Sequence, residues 1–208
     1  GRVWGIVLHR VFPDWQAVAQ DWPQNEVSIV WQLRLPRVIL GAIVGAGLMM
    51  AGAAIQSLVR NSLADPYLLG ISSGGCAGAV AAILLLGKVL GSSYTGLSTV
   101  FILAFLGSLL AFGLVLIIAA QWEGLTPMRM ILSGLAVSYT FTALTNFMVY
   151  FNQRSGAESA MFWMLGGLGG ARWDRLPVPL AVTAACLVLL VLQGRSLNAL
   201  MLGDESAA

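Results

Sequence analysis

Residues 97–121 read LSTVFILAFLGSLLAFGLVLIIAAQ, a stretch without one charged side chain. A helix needs about 20 consecutive apolar residues to cross the hydrocarbon of a bilayer. This stretch meets that length, and it lies within a longer charge-free run, 89–122. The start of that run, Leu90-Gly91-Ser92-Ser93-Tyr94-Thr95-Gly96, reads as a loop because glycine, serine and threonine cluster there.

Four more runs carry no charge: 38–59, 66–87, 130–153 and 176–194. Each fits one helix. The pattern predicts an all-α fold, a polytopic transmembrane helix bundle with five spans at about 37–59, 66–87, 97–121, 128–151 and 176–194. Buried core helices of a large soluble protein are the alternative. Five runs of spanning length in 208 residues lie far outside soluble base rates.

Composition agrees. The chain is 58% hydrophobic and 10% charged, against about 25% charged in soluble domains. So few charges cannot cover a soluble surface, and a lipid bilayer is the expected surrounding. The net charge of +2, with no basic run, offers nothing for nucleic acid to bind. Cys76 and Cys186 sit inside apolar runs and read as small hydrophobes. Gly1 is not an initiator methionine and no signal-peptide pattern follows it, so the sequence reads as beginning inside a larger protein.

Local chemistry marks the boundaries. Asp65-Pro66 offers a capping side chain and then a first-turn proline, which predicts that the second span starts there. Thr126-Pro127 repeats the arrangement before the fourth. Leu35-Pro36 and Leu176-Pro177 lie near the starts of the first and fifth. Gly41 and Gly45, then Gly70, Gly74, Gly78 and Ala82, recur at a spacing of four and predict smooth ridges for close helix packing. Residues 1–35, with Trp4, Trp15, Trp22 and Trp31, suit an interfacial or external segment. Residues 152–175 are too polar to span, and 195–208 leave the membrane.

Chemical motifs fail on context. Gly70-Ile71-Ser72-Ser73-Gly74 matches G-x-S-x-G, but that motif needs a strand-to-helix turn and a histidine base. There is no phosphate loop and no cluster with metal-ligand spacing. His9 alone reads as a surface or interface residue. No catalytic residue, cofactor or metal is predicted. Charge-free spans argue against an ion-coupled transporter.

Three segments go further. The first is Trp31-Gln32-Leu33-Arg34-Leu35-Pro36-Arg37, followed by Gly45, Gly52 and Gln56 and continuing through Asn61-Ser62-Leu63-Ala64-Asp65-Pro66-Tyr67-Leu68-Leu69-Gly70-Ile71-Ser72. The second is Phe162-Trp163-Met164-Leu165-Gly166-Gly167 with Trp173 beyond it. The third is Leu197-Asn198-Ala199-Leu200-Met201-Leu202-Gly203-Asp204-Glu205-Ser206-Ala207. In this order the chain resembles the iron-siderophore, haem and cobalamin permease family of binding-protein-dependent ABC importers. Ser62 stands where that family usually has proline, and Asp204 where glutamate is usual. Family members have ten helices, so the resemblance implies that the five spans correspond to the second through sixth.

The resemblance implies a permease homodimer in the bacterial cytoplasmic (inner) membrane, two ABC ATPase subunits inside and a substrate-binding protein outside. ATP hydrolysis then belongs to a partner, and this chain is a transport subunit, not an enzyme. Arg34 and Arg37 match outer arginines that receive acidic residues of the binding protein; the bland reading is interfacial anchors. Asn61 and Leu63 match an inner gate, and Thr126 and Pro127 lie in the neighbouring inner loop; the bland reading of Asn61 is a turn former. Residues 196–208 resemble the segment that couples to the ATPase, with Asn198, Leu200, Leu202, Gly203, Asp204 and Glu205 as its contacts; the bland reading is a solvated loop.

The implied topology puts Arg2, Arg10, Arg34, Arg37, Lys88, Arg154, Arg172 and Arg175 outside and Arg60, Arg129 and Arg195 inside, the reverse of the positive-inside preference. The competing functions are a secondary transporter or channel with no ATPase, and a membrane-embedded enzyme, which lacks any nucleophile–base constellation here. Among ferric siderophore, haem and cobalamin, an iron chelate is taken first.

Overall fold

A computed structural model of the chain describes residues 2–12, 22–61, 64–86, 97–121, 126–152 and 156–202. Eight helices are named here: α1 Arg2–Val11, α2 Gln24–Val59, α3 Ile71–Leu86, α4 Leu97–Ala120, α5 Pro127–Phe151, α6 Ala157–Leu165, α7 Pro177–Leu192 and α8 Gly194–Leu202. No β-strand occurs among the described residues. Gln24–Val59, Ser98–Ala120, Pro127–Phe151 and Trp173–Leu192 are long and apolar enough to cross a membrane; Ile71–Leu86 is apolar but shorter. The chain forms two compact units, Gly1–Met50 with Gly167–Gln193, and Ala51–Gly166 with Gly194–Ala208.

The second unit is built on α3, α4 and α5. Gly78 of α3 has no side chain, and a Cβ there would strike the main-chain carbonyl of Leu103 on α4. The predicted small-residue ridge is thus used as a backbone crossing between these helices. Around it, Val80, Leu84, Ala111, Val115, Val137 and Phe141 form a buried core. Burial outside this core is sparse: Phe101, Phe105, Leu109 and Ile117 on α4 are all exposed. In water such a surface would aggregate; against acyl chains it costs nothing.

The second span departs from its predicted start. Asp65 does cap, accepting from the Tyr67 N–H at 2.8 Å, but what it caps is a single 3-10 turn, Pro66–Leu69. Gly70 then adopts φ 72°. That left-handed residue ends the turn and re-aims the chain, so α3 begins only at Ile71. Gly70 is therefore a bend and not the first step of the ridge. At Thr126 the expected cap is missing: the residue is extended at the start of α5, with no side-chain cap hydrogen bond, while Pro127 takes the first helical turn.

In the first unit, α7 has no buried residue. Leu168 fills the space beside Gly41, whereas Gly45 faces open space, so only part of that predicted ridge is packed. The first span also begins far earlier than residue 37. Its helix starts at Gln24 and runs through Pro36. Ile29–Arg34 form a π turn that ends two residues before that proline. The wider turn absorbs a residue whose ring and missing N–H would otherwise interrupt an α-helix.

The 152–175 connection holds α6 and a short 3-10 turn, Trp173–Arg175. Gly166, at φ 74° and ψ 179°, ends α6 in a conformation open essentially to glycine alone.

Candidate functional site

Arg34 closes the π turn and Arg37 lies three residues on in the same helix; both are exposed. They are therefore not at a helix start, as the sequence suggested, but well inside α2. Other arginines of the first unit are engaged. Arg2 pairs with Glu26 at 3.6 Å and Arg172 with Asp174 at 3.2 Å. The Arg10 guanidinium lies 5.8 Å from the Trp31 ring centroid, and Arg175 Nη1 donates to the Gly170 carbonyl at 3.2 Å. Among the described residues of this unit, Arg34 and Arg37 are the arginines whose side chains engage no carboxylate, carbonyl or ring. A guanidinium with an unoccupied donor fork is suited to a carboxylate from another molecule.

Aromatic rings pair within the same unit. The Trp31 and Trp173 rings are 5.1 Å apart with a 33° tilt, and the Trp173 indole N–H donates to the Trp31 carbonyl at 2.9 Å. His9 packs edge-on to Trp22 at 6.1 Å. No group of three His, Cys, Asp or Glu side chains among the described residues can hold a metal. Ser72 and Ser73 lie in the first turn of α3, with the Ser73 hydroxyl on the Gly70 carbonyl at 2.9 Å, so the G-x-S-x-G match is a helix opening.

In the second unit α2 ends in a left-handed cap. Arg60 has φ 54°, and the Asn61 N–H reaches back to the Gln56 carbonyl at 3.2 Å. This six-to-one bond closes the helix. The Asn61 carbonyl then accepts from the Ala64 N–H at 3.0 Å, as a turn former does. Leu63 lies outside the described residues. The turn Pro66–Leu69 packs on α5, where Gly134 leaves room for the Leu68 carbonyl. Thr126 and Pro127 are exposed at the start of that helix.

The third segment is helical in its first part. Asn198 is exposed on α8, and Leu200 and Leu202 belong to that helix. Gly203, Asp204 and Glu205 lie outside the described residues. A 640 Å³ groove is lined by Gly78, Leu103, Leu106, Gly107, Gly113 and Leu114 among others. Its walls are almost entirely carbon, so it offers little to orient a polar ligand.

The sequence places Trp173 only in a family-like segment and does not pair it with Trp31. The signal was Pro36 inside a helical run, which always strands a backbone acceptor somewhere upstream.

The long apolar helices and their exposed faces define a helical, multi-pass membrane protein. Residues 3–208 match the sequence profile of the FecCD transport family, and the chain belongs to that family. It is 39% identical over 186 residues to the cobalamin import system permease protein BtuC of Halobacterium salinarum, covering 89% of this chain and 48% of that protein. It is 39% identical over 178 residues to the vitamin B12 import system permease protein BtuC of Klebsiella pneumoniae, covering 86% and 51%. The chain spans about half the length of the curated relatives it matches. A solved structure described as an inward-facing, metal-chelate type ABC transporter superposes with a TM-score of 0.74 at 24% identity, covering 99% of this chain and 66% of that one. That likeness shows the fold.

Proposed function

We propose that the chain is the membrane-spanning permease part of a binding-protein-dependent ABC importer for a bulky metal–organic chelate. The observation that carries the reading is the family match over residues 3–208. The names of the relatives put cobalamin ahead of the iron chelate as the first ligand to try. The partners are a second copy of the permease, two ABC ATPase subunits and an extracytoplasmic binding protein, and the setting is the bacterial inner membrane.

Arg34 and Arg37 receive acidic side chains of the binding protein. Their unoccupied guanidiniums and the continuous helix beneath them support that role. With each of the five apolar helices crossing once, Asn61, Leu63, Thr126 and Pro127 fall on the opposite face and form the inner gate. Residues 196–208 follow on that same face and contact the ATPase through Asn198, Leu200, Leu202, Gly203, Asp204 and Glu205. Exposed Asn198 on a short helix after the last crossing supports this.

The test is uptake of labelled cobalamin into proteoliposomes holding the full-length permease, with ATPase and binding protein added or withheld. Uptake that needs ATP and both partners is the expected result. Uptake by the permease alone moves a secondary transporter or channel to first place.

A further inference from the structure

The Trp31 carbonyl is deprived of both donors that a helix can supply. The α-helical donor is the Leu35 N–H, and the π turn commits that group to the Val30 carbonyl. The π-helical donor lies five residues on, at Pro36, which has no N–H. Trp173 takes the place of both. Its indole N–H donates to the Trp31 oxygen at 2.9 Å, and its ring packs on the Trp31 ring at 5.1 Å. The Arg10 guanidinium lies over the same Trp31 ring. Trp173 is itself set in a 3-10 turn flanked by the Arg172–Asp174 pair and the bond from Arg175 to the Gly170 carbonyl.

The stranded carbonyl matters because of its neighbours in the helix. Arg34 is the last residue of the π turn, and Arg37 lies in the α-helix beyond. A π turn holds one residue more than an α turn. Relaxing it to α register rotates the helix before the turn by about 100° relative to the helix after it. Arg34, the last residue of the turn, would change its angular offset from Arg37. We infer that Trp173 is a positioning residue for the docking surface: by capping the Trp31 carbonyl it holds the π turn and so sets the angle between the Arg34 and Arg37 guanidiniums. The inference rests on the docking reading of those two arginines and adds to it a residue that carries no charge.

The experiment uses the full-length permease assembled with its ATPase in nanodiscs, with its cognate binding protein as the probe. Trp173→Phe keeps a ring and removes the donor. Capture of the binding protein is expected to weaken by about two- to tenfold, the range for one hydrogen bond. Amide hydrogen exchange over residues 29–37 is expected to quicken by a similar factor. Pro36→Ala supplies an N–H at position 36, and in that background Trp173→Phe should change either readout less than about twofold. Unchanged exchange in Trp173→Phe, or no rescue by Pro36→Ala, overturns the lock. Faster exchange with normal capture overturns the positioning role. Capture that also ignores Arg34→Glu with Arg37→Glu overturns the docking reading beneath it.

Discussion

The hydroxyl of Ser108 on α4 donates to the main-chain carbonyl of Ile71 on α3 at 3.0 Å. It reaches that oxygen because residue 75 is glycine: a Cβ there would sit 2.6 Å from the Ser108 hydroxyl oxygen. Interhelical hydrogen bonds in membranes average about 0.6 kcal/mol. Ser108→Ala should therefore lower the stability of the detergent-solubilised protein only slightly. Gly75→Ala should lower it by about 1–3 kcal/mol, as overpacking does. Ser108→Ala should recover part of that loss in the double mutant, since it removes the atom that clashes. Thermal unfolding of the four proteins checks this; fully additive losses would mean that the two residues do not share the space.

Gly78 and Gly113 make a sharper pair, because one lies at a crossing and the other does not. A Cβ on Gly78 meets the Leu103 backbone, which cannot rotate away, whereas Gly113 has nothing within 4 Å. Gly78→Ala is expected to destabilise by about 1–3 kcal/mol and to reduce the yield of folded protein. Gly113→Ala should be tolerated or mildly stabilising, since alanine favours a helix over glycine by about 1 kcal/mol. Equal yields of both variants from membranes would show that α3 and α4 do not cross at Gly78.

Gly166 is the position where backbone conformation alone makes a prediction. At φ 74° and ψ 179° it lies where a side chain is strained, by about 1–3 kcal/mol. Nothing lies within 4 Å of its missing Cβ, so the strain is not a matter of space. Gly166→Ala should destabilise by that amount. Gly169→Ala, with equally open surroundings and no positive φ, should not. Differential scanning of the two variants separates backbone strain from crowding.

Much of the bundle was legible because lipid imposes a simple rule: a spanning helix must lack charge for about 20 residues. The runs at 97–121, 128–151 and 176–194 became helices nearly on their predicted bounds. The misses lie where one residue's conformation overrides the pattern. Gly70 continues an apolar, four-spaced series, yet its left-handed φ makes it a bend and shortens α3. Leu35-Pro36 looked like a helix start, but the π turn lets the helix run through from Gln24. Thr126 had the right side chain for a cap and does not use it. At the candidate site, the resemblance to the permease family pointed to Arg34 and Arg37, which on their residues alone read equally as interfacial anchors. Pro36 implied an unmet acceptor upstream, but only the fold shows that Trp173 meets it, from 142 residues away in sequence.

Those two arginines carry the last prediction. Both are exposed at the surface of α2 and engage no partner among the described residues. Reversing them should therefore cost the fold little. Surface substitutions away from partners usually change stability by no more than about 0.5 kcal/mol. Their effect should appear instead in association. Each reversal replaces an attraction for a carboxylate with a repulsion, which slows encounter and weakens orientation. Arg34→Glu with Arg37→Glu should lower the rate of binding-protein capture by about tenfold or more at low salt. Raising ionic strength should narrow the gap between variant and parent, because charges beyond about 10 Å are screened at 0.1 M. Surface plasmon resonance over a salt series, with melting temperature measured in parallel, tests both halves. A fall in capture that tracks a fall in melting temperature would make the arginines anchors of the span. Reduced capture at an unchanged melting temperature is the signature of docking.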